Sequence, residues 1–215
     1  MQRPNKRKLL EISAVIATAS GKFIFMDYLN LKLPFIVIAI GAWSAYVLYQ
    51  GKTQPEILKH WGFRRDNFHK VFIKLFPISI IALVSFFTIG MLRDTINLTW
   101  HILPILILYP IWGTIQQFLL IALVGGNLQD MRKEKSDTSK IVLVTAMLFA
   151  IIHYPYYWLM VGTFVLALLY GHIYMQSRNL FVMGIFHGWL GAFFFYTVVA
   201  RDPFTEIFGK LIMIR

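Results

Sequence analysis

Charge is nearly absent from several long stretches of this chain, and that absence constrains the fold more than any motif does. A bilayer core is about 30 Å thick, and a helix needs about 20 predominantly apolar residues to cross it. The candidate spans are residues 9–28, 31–49, 71–92, 99–126, 141–154, 157–175 and 180–199. In hydrocarbon every backbone polar group must be satisfied within the segment, so such segments fold as helices. The expected fold is all-α: a polytopic transmembrane helix bundle of about seven spans (roughly six to eight). Only 14% of the residues are charged, against about 25% in a typical soluble domain. No polar segment is long enough to fold beside the spans, so residues 1–215 read as one membrane domain.

The net charge is +11. In a soluble chain that excess would suggest nucleic acid. Here the basic residues sit in short connectors between apolar runs, where they set topology and meet anionic lipid. The bilayer is the expected partner, and nucleic acid is not. With the N-terminus inside, Arg3, Arg7, Lys59, Arg64, Arg65, Arg132, Lys140 and Arg178 share the cytoplasmic side. Only Lys22, Lys32 and Arg93 lie near the outer ends of the spans before residue 200. That asymmetry implies a multi-pass protein of the plasma (inner) membrane with a cytoplasmic N-terminus. The basic start MQRPNKRK precedes an apolar run that Glu11 and Lys22 interrupt, so it reads as an uncleaved first helix. Cysteine is absent, which excludes disulfides and thiolate metal ligands.

Two connectors carry patterns of their own. Thr53-Gln54-Pro55-Glu56 fits a capping box, which would start a short interfacial helix bearing Ile57, Leu58 and Trp61. Near the C-terminus Phe204, Ile207, Phe208, Leu211 and Ile212 keep helical spacing, so residues 203–213 read as an interfacial helix or a frayed tail. The run Asp130 to Lys140 reads as a solvated loop.

Polar groups at membrane depth are costly, which makes them the place to look for function. Gln116, Gln117, His153 and His187 stand out. At ~1.5 Å rise per residue, Gln117 lies ~15 Å deep, His153 ~18 Å and His187 ~12 Å. These depths converge near the midplane, where three helices offering polar groups can form one pocket. His172, only ~6 Å deep, reads as interfacial, as do His101, His60 and His69. On composition alone the midplane set could equally be packing contacts between helices.

The order of these residues carries a resemblance. Gln116-Gln117-Phe118-Leu119-Leu120-Ile121 is followed by Phe149-Ala150-Ile151-Ile152-His153, and then by His187-Gly188-Trp189-Leu190-Gly191. This is similar to the CPBP family of intramembrane proteins, which includes the CAAX prenyl endopeptidases and bacteriocin-processing proteins. That family carries EExxxR, then FxxxH, then HxxxN or HxxxD. The resemblance covers about residues 60–200, with Trp61-Gly62-Phe63-Arg64-Arg65 resembling a run found ahead of the family's core. Phe149, His153 and His187 match. Gln116 and Gln117 stand where the family has glutamates, Ile121 where it has arginine, and Gly191 where it has asparagine or aspartate.

The resemblance implies that in active members the first glutamate activates a water with a histidine assisting. It implies that the second histidine and the asparagine stabilise the oxyanion. A glutamine amide accepts no proton near neutral pH, so it cannot be a general base. Loss of an oxyanion donor costs roughly 10²–10³ in rate. The expected function is that of a degenerate, non-catalytic family member. It would bind another membrane protein, a membrane-embedded peptide or a lipid, as an accessory or scaffold subunit. The pocket would be lined by Gln116, Gln117, Phe149, His153 and His187. The alternative is an active intramembrane endopeptidase with an unusual site. Two imidazoles without a carboxylate or thiolate make an incomplete zinc set, so neither metal nor cofactor is expected. A transporter would show a charged relay or paired broken helices, and neither is visible.

Overall fold

A computed structural model describes residues 3–132 and 138–212. Among the described residues every regular element is helical. Helix α1 (Asn5–Gly21) continues as a π-helix over Lys22–Tyr28. Helices α2 (Lys32–Thr53), α3 (Glu56–Trp61) and α4 (Phe68–Leu92) follow. Helix α5 (Ile102–Gln117) continues as a π-helix over Phe118–Gly126 and then as α6 (Asn127–Met131). The chain ends with α7 (Thr138–Ile152), α8 (Tyr157–Ser177), α9 (Leu180–Phe194, with π continuation Phe195–Val199) and α10 (Pro203–Ile212).

Six of these segments are long and apolar enough to cross a bilayer. The shorter α7, with 15 residues, begins where Arg132 bonds Thr138. It ends at the opposite pole, where Lys22 Nζ donates to the Tyr154 carbonyl. The protein is a multi-pass membrane bundle, and its flanks present apolar side chains such as Ile38, Ile81 and Ile107 to lipid.

The centre of the bundle is the π segment of α5, in which all of Phe118–Gly126 is buried. Trp61 lies edge-on to Phe118 at 5.1 Å, and Phe63 tilts against it at 5.4 Å. Helix α3 is therefore docked inward, with Ile57 and Trp61 fully buried. Its start differs from the capping box expected at Thr53. Thr53 is the last residue of α2, its hydroxyl donates to the Tyr49 carbonyl at 3.0 Å, and no side chain caps α3. The reason is that α2 runs on to the residue meant to cap its successor, so the threonine serves its own helix. Gly62 then ends α3 in the left-handed region (φ +98°), where a side chain would be strained.

The expected solvated run from Asp130 to Lys140 also needs correcting at its ends. Asp130 closes α6 and holds two other elements: His60 at 2.6 Å and Arg178 at 2.9 Å. Thr138 to Lys140 already belong to α7, and residues 133–137 lie outside the described residues. The connectors after α2, α6 and α8 thus gather at the pole that carries the N-terminus. His60 is tied into this cluster and His101 pairs with Asp202, so neither is a lone surface histidine. His69 and His172 are exposed.

Candidate functional site

The site begins with glycine. On α9, Gly184 and Gly188 are one helical turn apart and lie against α5. A Cβ on Gly184 would sit 1.9 Å from Thr114 Oγ1, and one on Gly188 would sit 2.4 Å from the Pro110 nitrogen. Only hydrogen fits at either place, and small residues are what let membrane helices approach at backbone distance. Across the seam, a Cβ on Gly113 would sit 2.9 Å from His187 Cδ2. The imidazole of His187 thus occupies space that Gly113 leaves open. The close seam presses His187 against the last α-helical turn of α5, where Gln116 and Gln117 lie.

The two glutamines take the two nitrogens of that ring. Gln116 Oε1 lies 2.9 Å from His187 Nε2, and Gln117 Nε2 lies 3.1 Å from His187 Nδ1. This assignment reads as a neutral imidazole: Nε2–H donates to the Gln116 carbonyl oxygen, and Nδ1 accepts from the Gln117 amide. Gln117 is fully buried, His187 nearly so, and Gln116 half-buried. Gln117 Oε1 is buried without a hydrogen-bond partner. Immediately after Gln117 the helix widens into its π segment, a feature frequent at functional sites.

Phe149 joins this relay to the second histidine. Its ring stacks on His187 at 5.5 Å and meets His153 edge-on at 5.1 Å. The two imidazoles are therefore no farther apart than those separations together. His153 follows the last turn of α7 and uses Nδ1–H to donate to the Phe149 carbonyl at 2.7 Å. Its Nε2 is then left as an acceptor. Ile121 is fully buried in the apolar core and is no part of this cluster.

Gln116, Phe149, His153, His187 and Gly191 all line one cavity of about 250 Å³. A Cβ on Gly191 would meet only Tyr109, at 4.0 Å, so this position is open. The walls between are apolar, built by Leu119, Leu120, Leu159, Leu190 and Phe194 among others. Gln117 lies behind the wall. Among the described residues no group of three His, Cys, Asp or Glu side chains could hold a metal ion.

At the pole opposite the N-terminus the same cavity has a charged rim, which the sequence reading did not assign to it. Lys22 pairs with Asp27 at 2.6 Å and bonds the Tyr154 carbonyl. Lys32 pairs with Glu206 at 3.1 Å, and Arg201 also holds Glu206. The Arg201 guanidinium lies 3.9 Å over the Tyr156 ring. Pro203, Glu206 and Ile207 of α10 contribute to the lining, so α10 covers the rim rather than trailing from the bundle. Burial would raise the Glu206 carboxyl, but the hydrogen bond and charge of Arg201, joined by those of Lys32, hold it below the ordinary range. The signal in the sequence was Lys22 and Asp27 inside an otherwise apolar span.

No curated protein and no solved structure matches the chain. Residues 95–193 match the model of the family described as Type II CAAX prenyl endopeptidase Rce1-like. The matched stretch runs from just before α5 to the end of α9 and contains every residue of the Gln–His cluster. Over residues 95–193, which hold the seam of α5 and α9 and the paired histidines, the chain is similar to the Rce1-like, CPBP family.

Proposed function

We propose that this protein is a non-hydrolytic relative of the CAAX prenyl endopeptidases. It holds a membrane partner, a peptide or a lipid in its cavity as an accessory or scaffold subunit. We further propose that it sits in the plasma (inner) membrane with its N-terminus in the cytoplasm, on the strength of the basic residues clustered at that pole. The observation that carries the functional reading is that both nitrogens of His187 are bonded to carboxamides. Amide hydrolysis at neutral pH needs a water activated by a base or a metal. A glutamine supplies no base, and a doubly bonded neutral imidazole has no lone pair left for one.

The other carboxylates support the same reading. Asp27 and Glu206 line the cavity only at its charged rim, and each is paired with a cation. Glu11 is enclosed by Arg3, Tyr46 and Asn127 at the other pole and does not line the cavity. The open Gly191 position offers no side-chain donor to an oxyanion.

A second reading, weak hydrolysis with His153 as base, is favoured by one observation: its Nε2 is a free acceptor on the cavity wall. The test is cleavage of prenylated and membrane-embedded peptides by the purified protein in nanodiscs. The expected outcome is no cleavage above background. Cleavage that His153→Ala abolishes would overturn the non-hydrolytic reading.

A further inference from the structure

We propose that the cavity takes a single-chain lipid with an anionic head, of the fatty-acid class, with the head at the Lys22–Lys32–Arg201 rim and the chain along the apolar wall. The inference rests on the reading of this cavity as a binding site rather than a hydrolytic one, and adds the chemistry of the ligand.

Three observations converge on this class. The first is charge. The cavity lining holds Lys22, Lys32 and Arg201 against only Asp27 and Glu206. Glu206 is shared, accepting from both Lys32 and Arg201, so among the lining side chains the cations outnumber the carboxylates by one. An anion placed there completes the balance, whereas a neutral or cationic head does not. Lys22, Asp27 and Lys32 also lie at the ends of the first two candidate spans, where a charged head can reach water.

The second observation is the wall. Between the rim and the Gln–His cluster the lining is apolar, with Leu119, Leu120, Leu159, Leu190 and Phe194. The cluster at the far end is neutral, and the His187 nitrogens are already bonded, so a hydrocarbon chain ending there strips no charge of its water. The third is size. A volume of about 250 Å³ falls below the roughly 300–1,000 Å³ of drug-sized ligand pockets, which leaves no room for the two chains of a phospholipid.

The experiment uses the full chain in nanodiscs, with a diazirine-bearing palmitate as probe and mass spectrometry to map the label. The expected label lies on the cavity wall, at Leu120, Leu159 or Phe194. Palmitate competes it away, and hexadecanol, which has the same chain without the charge, does not. Lys32→Gln removes the surplus charge and lowers wall labelling about three- to tenfold, while Lys32→Arg retains it and shows that the fold is intact. Leu159→Trp fills the cavity and removes the label.

Labelling confined to lipid-facing residues such as Val161 and Val165, equal competition by hexadecanol, or wild-type labelling in Lys32→Gln would each overturn the proposal. Peptide cleavage in the same nanodiscs separates the two claims. If peptide is cleaved, the non-hydrolytic reading fails; if wall labelling and cleavage are both absent, only the ligand class fails.

Discussion

Two buried polar clusters in this molecule handle the same problem in opposite ways. At the N-terminal pole, Glu11 is a buried carboxylate held by Arg3, by the Tyr46 hydroxyl at 2.5 Å and by the Asn127 amide at 2.7 Å. In the α5–α9 seam, Gln116, Gln117 and His187 satisfy one another without any formal charge. This fold can thus bury a carboxylate with its arginine. Neutrality at 116, 117 and 121 is therefore a property of that site and not a general limit of the bundle. A buried charge persists where partners enclose it, and the seam has none to offer: the family's arginine position is Ile121, sealed in the core.

The largest effect is expected when one side of the charged cluster is removed. Glu11→Gln leaves Arg3 buried beside a neutral amide. Loss of one partner of a buried pair costs about 3–5 kcal/mol. Thermal unfolding in detergent should fall by several degrees, and an unchanged midpoint would mean that the pair contributes no more than its hydrogen bonds.

Next in size is the seam itself. Gly184→Ala must push α9 away from Thr114, since the new Cβ has no room. Overpacking of this kind costs typically about 1–3 kcal/mol. It should also part His187 from the glutamines, visible as a shift of the His187 imidazole resonances by NMR. If the resonances stay in place, the glycine contact does not position the ring.

A comparable or smaller effect is expected inside the relay. Gln116→Leu leaves His187 Nε2–H without its acceptor, at a cost of about 1–3 kcal/mol for a buried donor. Gln116→Glu sharpens the contrast with the Glu11 cluster, because it places a carboxylate where no cation waits. Adding Ile121→Arg should recover stability if the family's charged arrangement is reachable in this fold. A double variant less stable than Gln116→Glu alone would show that the seam has closed around neutral groups.

The smallest effect concerns α10. Burial would raise the Asp202 carboxyl, but hydrogen bonds from Tyr196, His101 and Thr205 outweigh it and hold it at about 2. Glu206 is also held low. A carboxyl with a depressed folded-state value stabilises the docked form fully above its ordinary value near 4, and loses that contribution as the pH falls towards 2. Docking of α10 should be constant from pH 8 to 5 and weaken below about 4. Because the chain has no cysteine, spin labels on cysteines introduced at positions 36 and 207, both on the cavity lining, report this directly through their separation. A separation that grows already between pH 7 and 6 would mean that the carboxylates do not hold α10 in place.

Membrane insertion and the helical class were legible along the chain, because hydrocarbon imposes a local rule; the resemblance to a family came instead from the order of the glutamine, phenylalanine and histidine motifs. Each segment must satisfy its own backbone and be about 20 residues long, and both can be counted residue by residue. The expected depths of Gln117, His153 and His187 rest on the same counting. What counting cannot supply is rotation about each helix and the distance between helices. Gly184 and Gly188 read as ordinary apolar residues until α5 lies against them, and Thr53 read as a cap until α2 ran on to include it. Lys22, Lys32, Arg201 and Glu206 are scattered across the sequence, and only the packing of α1, α2 and α10 brings them to one rim. The physical reason is range: burial from water and backbone hydrogen bonding act within a segment, whereas close packing and charge pairing depend on which segments meet. Sequence determined that polar groups sit inside otherwise apolar helices, and tertiary structure decided that two glutamines close on one histidine and that a charged rim stands over an apolar wall.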